Sequence, residues 1–211
     1  MPLDRDVPLS TMERLPSYLR VIDSLLAHGM RAATSDVLAG RAGVTSVQFR
    51  KDMSLVGAVS GVRGSGYDLG ALRGELRTAM GSSERIGFVI IGFGNLGRAL
   101  ASSPAFSRGG LDLLGMFDVA ESAVGQEVGG VKVYHDEMLE AFVRDNNVSI
   151  AVIATPAEAA QQAADQAILG GAREILNFSP AALQVPETVE VRTIDLGAEL
   201  QMLALHARSA R

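Results

Sequence analysis

The sequence predicts an α/β protein: a doubly wound parallel sheet preceded by a small helical module that carries a wing. Three observations lead there. An uncharged apolar run, Ile86 to Ile91, leads into Gly-x-Gly-x-x-Gly at Gly92, Gly94 and Gly97, and then into a helical stretch. Strand-like and helix-like segments alternate from there to the C-terminus, the pattern of parallel strands joined by helices. Before residue 80, three helical segments with short Gly-containing turns precede a Gly-rich stretch, as in a helix-turn-helix followed by a wing.

Composition sets the bounds. The chain has 211 residues, 47% of them hydrophobic, enough for one large core or two small ones. No run approaches the 18 or so apolar residues of a membrane span. Asp4, Arg5 and Asp6 do not fit a signal peptide. Without cysteine there is no disulfide, thiolate metal site or Cys nucleophile. A cytoplasmic protein without a membrane partner is the expectation. The net charge is −5, but residues 1–80 hold 10 basic and 8 acidic side chains, and residues 81–211 hold 9 and 16. An acidic protein with a locally basic N-terminal part could bind nucleic acid there.

In the N-terminal module, Ser10-Thr11-Met12-Glu13 resembles a capping box, and Pro16 suits a first helical turn. Leu15, Leu19, Ile22, Leu25 and Leu26 share one face, and Gly29 ends that helix. Thr34 starts a second helix, closed near Gly43. Thr45 caps a third with Gln48 three residues on, a second capping box, and Val47 and Met53 are assigned to its core side. Leu55 to Tyr67 reads as two short strands around a Gly-rich turn, with Arg63 an exposed cation on a thin loop that could enter a minor groove. A solvated hairpin is the bland alternative. Asp68 caps a fourth helix bearing Leu69, Leu72, Leu76 and Met80, with Gly81 past its end.

Residues 81–84 form the expected boundary. Three regions follow: 1–80, a winged-helix DNA-binding domain; 81–194, a dinucleotide-binding domain of the Rossmann type; and 195–211, a C-terminal helix. Within the second, strands are expected at Ile86–Ile91, Leu111–Phe117, Val131–Tyr134, Val148–Ala154, Arg173–Phe178 and Val189–Ile194. Helices are expected at Asn95–Phe106, at Asp136–Asn146 and from Pro156 to Leu169. Asp195 caps the last helix, which is apolar on more than one side through Leu196, Leu200, Leu203, Met202 and Leu205. Such a helix wants a partner, and a homodimer contact is the reading.

Gly92 allows the tight turn, Gly94 lets a pyrophosphate approach, and Gly97 lets the helix pack on its strand. Asp118 lies about 20 residues past the last glycine, where an acid meets the adenine ribose and disfavours a 2′-phosphate. The candidate cofactor site is Gly92, Phe93, Gly94, Asn95, Leu96, Gly97 and Asp118, joined by Thr155, Pro156 and Asn177 from the other strand ends. NAD(H) is the expected ligand. None of these strand ends offers a good general acid or base. Neither catalytic residues nor a metal site is expected, and the chain reads as a binder, not an enzyme. The candidate DNA contacts are Thr45, Ser46, Gln48, Arg50, Lys51, Arg63 and Tyr67. Arg50 or Lys51 could instead pair with Asp52 on the surface.

Several blocks together resemble the redox-sensing transcriptional repressor family Rex. They are Arg14-Leu15-Pro16-Ser17-Tyr18-Leu19-Arg20, Arg50-Lys51-Asp52-Met53-Ser54, Gly61-Val62-Arg63-Gly64-Ser65-Gly66-Tyr67, the segment Gly92 to Leu100, Ala154 to Gln161, and Ile175-Leu176-Asn177-Phe178-Ser179-Pro180. The resemblance implies a winged helix, a Rossmann domain and a homodimer that exchanges its last helix. It implies a repressor on an inverted-repeat operator, with NAD⁺ and NADH as cofactors, released when NADH binds and controlling genes of respiration and fermentation. It also implies that Asp195 pairs with Arg14 in one state. One departure stands out. The family's Tyr/Phe-rich stretch is aliphatic in this chain, Leu55-Val56-Gly57-Ala58-Val59-Ser60, and the wing is one residue longer near Ser60. The competing reading is a CoA- or dinucleotide-binding domain of a ligase or small oxidoreductase, which would not need the N-terminal module.

Overall fold

The computed structural model describes residues 7–58, 66–81, 85–103 and 110–209. The chain divides into two compact units, Met1–Glu84 and Arg85–Arg211.

The first unit is helical. A short α1 (Leu9–Met12) precedes α2 (Leu15–Ala27). The expected capping box at Ser10 does not form: Ser10 lies inside α1, and Pro8 takes the cap position without a side-chain bond. A two-residue β1 (Ala32–Ala33) leads into α3 (Ser35–Ala42), capped by Thr34 and closed by Gly43 in the left-handed region at φ 73°. Next comes α4 (Ser46–Leu55), where Thr45 Oγ1 accepts from the Gln48 amide N–H. Half of that capping box is present, because the Gln48 side chain turns to Asp52 instead. Then follow β2 (Tyr67–Asp68) and α5 (Leu69–Ala79), the latter capped by Asp68.

Leu15, Tyr18, Ile22 and Leu25 of α2 meet Leu38, Phe49, Met53, Leu69, Leu72 and Leu76 in one core. Tyr18 stacks edge-on against Phe49, and Phe49 against Tyr67, at 5.0 and 5.5 Å between centroids. Phe49, not Val47, is the residue α4 buries; Val47 is 67% exposed. The expected start of the wing is also corrected. Leu55 still belongs to α4, and Tyr67–Asp68 pairs antiparallel with Ala32–Ala33. The wing tip with Arg63, and Ser60, lie outside the described residues.

At the centre of this unit sits Asp52, 0% exposed. Its carboxylate accepts from Arg14 (2.7 and 2.8 Å), the Tyr18 hydroxyl (2.6 Å), Gln48 Nε2 (2.9 Å) and Thr11 Oγ1 (3.0 Å). Burial alone would raise its pKa, but these donors outweigh desolvation and hold it at about 2. In turn, Arg14 is pushed above its ordinary value by its hydrogen bond to Asp52, and Tyr18 by burial and then by the same carboxylate. A surface pair of Asp52 with Arg50 or Lys51 is therefore excluded.

The second unit holds a seven-stranded sheet in the order β5-β6-β4-β3-β7-β8-β9. The strands are β3 (Ile86–Ile91), β4 (Leu111–Asp118), β5 (Glu127–Val128), β6 (Val131–His135), β7 (Ile150–Ile153), β8 (Glu174–Asn177) and β9 (Glu190–Thr193). All pairs are parallel except β5–β6, a small hairpin the sequence reading did not anticipate. The helices are α6 (Asn95–Ala101), α7 (Leu139–Asp145, after a 3-10 turn at Asp136–Met138), α8 (Ala157–Gly170) and α9 (Leu196–Ser209). The expected extension of α6 to Phe106 runs into residues outside the description.

Alternation along β3 explains the layering. Val89 and Ile91 point to the face covered by α7 and α8, with Phe117, Val143, Ala160 and Ala164. Phe88 and Ile90 point to the other, with Met116, Val133 and Leu100 of α6. By contrast, α9 buries no residue of its own.

Asp52→Ala is expected to destabilise the first unit by about 3 kcal/mol, because it strands Arg14, Tyr18, Gln48 and Thr11 at once. Urea unfolding followed by circular dichroism measures this, and a loss below about 1 kcal/mol would show the network to be idle. The pH dependence follows from a folded pKa of about 2 against an ordinary 3.8. The stabilisation is complete above about pH 4 and is lost as pH falls through about 2.

Candidate functional site

The order β4-β3-β7 places a switch point beside β3, where consecutive connections leave in opposite directions and open a crevice at the carboxyl ends of the strands. The backbone there is tightly tied. The Gly92 N–H donates to Phe117 O and the Ala154 N–H to Ile91 O, each at 2.8 Å.

The three glycines do different work. Gly92 has φ 101°, and a Cβ there would stand 2.6 Å from Ala154 O. At Gly97 a Cβ would run into the carbonyl oxygen of Gly92, so α6 packs as closely as it does only because that position lacks a side chain. Gly94 is the opposite case: it has an ordinary φ of −73° and nothing within 4 Å of a Cβ. The space beside Gly94 belongs to no protein atom.

A cavity of about 330 Å³ opens at this loop, lined by Gly92, Gly94, Asp118, Thr155 and Pro156 among others. A second hollow of about 210 Å³ lies where Leu96 meets Phe178 and Pro180 after β8 and Ile194 and Asp195 after β9. Asp118 accepts from the Phe93 N–H at 2.6 Å and from the Ala120 N–H at 2.8 Å. The carboxylate therefore clamps the glycine loop to the end of β4, and its remaining lone pairs stay available to sugar hydroxyls. Phe93 is buried, and Arg98 lies over its ring at 4.1 Å. Asn95 is exposed on the first turn of α6. Thr155 Oγ1 is buried without a hydrogen-bond partner. Gln162 and Gln166 also line the larger cavity, as do Val119 and Asp136. The sequence reading missed these four. The glutamines share a face of α8 with Ala159 and Ala163 at helical spacing, which was the signal available.

Asn177 belongs to the site by position but is occupied otherwise. Its Nδ2 donates to Ala181 O and its Oδ1 accepts from the Ser179 N–H, both at 2.9 Å. It builds the turn that walls the smaller hollow. Asp195 caps α9, accepting from the Ala198 N–H at 2.9 Å.

In the first unit, α3 and α4 form the helix-turn-helix. Thr45, Arg50 and Lys51 are exposed, and Ser46 and Gln48 are half-buried. Arg50 donates to Ser35 Oγ at 2.9 Å, so it ties the middle of α4 to the start of α3. Tyr67 is a core ring, 9% exposed. Arg14, held by Asp52, lies on the other side of α4.

Comparison with known proteins places this architecture. The redox-sensing transcriptional repressor Rex of Streptomyces coelicolor is 43% identical over 202 residues, spanning 96% of this chain and 78% of that one. The chain belongs to the Rex family. Among solved structures, the Rex-family repressor RSP in complex with β-NAD⁺ and operator DNA superposes with a TM-score of 0.85 at 30% identity, covering 98% of this chain and 95% of that one. RSP in complex with β-NADH gives a TM-score of 0.83 at 29% identity, covering 98% and 97%. Two family models match parts of the chain: a putative DNA-binding protein N-terminus over residues 6–54 and a CoA binding domain over residues 83–181. Among the described residues no helix is long and apolar enough to cross a membrane, and no cluster of His, Asp or Glu is built to hold a metal.

The residues present fit the dinucleotide of the Rex family: an open flank at Gly94, a clamped acid at Asp118 and an unsatisfied buried hydroxyl at Thr155. Gly94→Val is expected to leave the melting temperature within about 2 °C, since its side chain enters open space, and to abolish NADH binding in titration calorimetry. Gly97→Ala should instead unfold or distort the second unit. Asp118→Ala should weaken NADH and narrow the preference over NADPH; an unchanged preference would remove the ribose assignment.

Proposed function

We propose that the protein is an NADH-responsive transcriptional repressor that works as a homodimer on an inverted-repeat operator. One observation carries this reading: a single chain joins a helix-turn-helix with outward cations to a glycine-loop nucleotide cradle. In the larger cavity Asp118 is engaged by two backbone N–H groups, and Asp136 lies 3.1 Å from His135. A dinucleotide fits the two hollows at the strand ends, with its pyrophosphate at Gly92, Gly94 and Gly97, its adenosine toward Asp118, Thr155 and Pro156, and its nicotinamide toward Leu96 and Asp195. When bound, the cofactor supplies a group that is either oxidised or reduced. The chain's own residues hold it and convert its presence into geometry.

The exposed α9 is the part that carries the signal. A helix with apolar residues on several faces and no buried one suits packing against a second protomer. At the head of α9, Asp195 borders the smaller hollow, so a ligand there bears directly on how the helix leaves the sheet. Family resemblance adds the partner: Arg14, bound to Asp52 in this structure, is shared with Asp195 across the dimer when NADH binds. Drawing Arg14 from the buried Asp52 weakens the anchor of α4, and DNA binding weakens with it. Thr45, Ser46, Arg50 and Lys51 contact the operator, with Arg63 from the wing. The genes controlled are those of respiration and fermentation, in the cytoplasm.

The alternative, a CoA- or dinucleotide-binding enzyme domain, draws on the family model over residues 83–181 but gives the first 80 residues no task. A mobility shift decides between them. NADH is expected to lower operator affinity ~5–150-fold, and operator to lower NADH affinity by the same factor. Lys51→Ala should reduce the salt slope of log K by about 1 without changing NADH binding. Operator binding indifferent to NADH would overturn the sensor, and no DNA binding at all would favour the enzyme-domain reading.

A further inference from the structure

The outward face of α4 carries two apolar side chains among polar ones, Leu55 at its last residue and Val47 in its first turn. Phe49, Asp52 and Met53 turn inward. Val47, Lys51 and Ser54 follow one another outward at helical spacing, with Arg50 alongside. A lone exposed valine on an ordinary surface needs no account. Val47 is different because of where it sits and what its neighbours are doing.

It occupies the first turn of the second helix of the helix-turn-helix, the turn that meets base edges in this motif. Its polar neighbours are largely engaged. Gln48, whose amide would match adenine, donates to Asp52 at 2.9 Å. Arg50 donates to Ser35 Oγ at 2.9 Å. The Thr45 hydroxyl oxygen accepts from the Gln48 N–H at 3.1 Å. Val47 has no such commitment and cannot contact a phosphate favourably. In the major groove an aliphatic side chain has one distinctive feature to meet, the C5-methyl of thymine. A β-branched residue in a helix is also stiff at χ1, so its methyl groups are presented in a fixed direction at little entropic cost.

We propose that Val47 reads one thymine in each half-site by packing its methyl groups against the thymine methyl. This rests on the DNA-binding reading above. It assigns the sequence information in that turn to shape and methyl contact, with the cations of α4 supplying affinity and register.

The test removes the same contact from either side. Duplexes are recovered from a random-sequence pool with the full-length chain in the presence of NAD⁺. Each thymine of the recovered site is then replaced in turn by deoxyuridine, which lacks only the methyl. The expected result is one thymine per half-site whose replacement weakens wild-type binding about fourfold, the value of one buried methyl. Val47→Ala should bind the parent duplex with a similar loss per half-site and an unchanged salt slope, and should be indifferent to deoxyuridine at that thymine. A flat deoxyuridine scan with the wild type would overturn the assignment. So would a loss at the sensitive thymine that is as large in Val47→Ala as in the wild type. Either result leaves the repressor reading standing. If the wild type recovers no duplex, that reading falls and takes this one with it. Folding is not in question for Val47→Ala, because the side chain is exposed.

Discussion

How closely α6 lies on β3 decides what the second unit can hold. Gly97 faces the carbonyl oxygen of Gly92 with no room for a single added carbon. Gly92 in turn sits against Ala154 of the neighbouring strand. These two contacts fix the loop between strand and helix before any ligand arrives, and Asp118 pins it from the third side through the Phe93 N–H. The helix start and the flank of Gly94 are therefore oriented by backbone crowding and not by the ligand. Preorganisation of this kind spares a bound dinucleotide the cost of ordering the loop.

In the N-terminal unit the corresponding constraint is electrostatic. Taking a carboxylate out of water is expensive unless every lone pair is answered. Asp52 is answered by four side chains from α1, α2 and α4. The anchoring has a consequence for recognition. Gln48 is drawn inward by Asp52, so the polar residue best suited to read a base is spent on holding the helix. What the start of α4 shows to solvent is left to cations, small hydroxyls and Val47.

The parts of this protein visible in the sequence are those fixed by local chemistry. The glycine spacing, the acid at Asp118, the caps at Thr34, Thr45 and Asp68 and the alternation of strands and helices are short-range signals, and the structure keeps them. The Gly-x-Gly-x-x-Gly pattern could not say which glycine is free to accept a side chain; only packing separates Gly94 from Gly97. Asp52 was misjudged because its sequence neighbours Arg50 and Lys51 project from other faces of the helix. Its true partner, Arg14, is 38 residues away. Asn177 matches a motif, but its amide is spent on the turn at Ser179–Ala181. The β1–β2 and β5–β6 pairs are two residues wide at their narrowest and carry no periodicity to detect. Val47 was assigned to the core in place of Phe49 because a helix with one mixed face offers two phases, and the tertiary core chooses.

Consider α9 as a problem in mass action. A 14-residue helix is marginal by itself in water, and this one draws no support from a core in its own protomer. If its apolar residues are covered by a second copy, part of the chain's folding free energy belongs to the encounter of two molecules. Its denaturation midpoint then moves with protein concentration, as it does for dimers whose monomers are incomplete. The number of copies in a cell would enter the stability of each one, and a repressor diluted by growth would lose structure as well as occupancy.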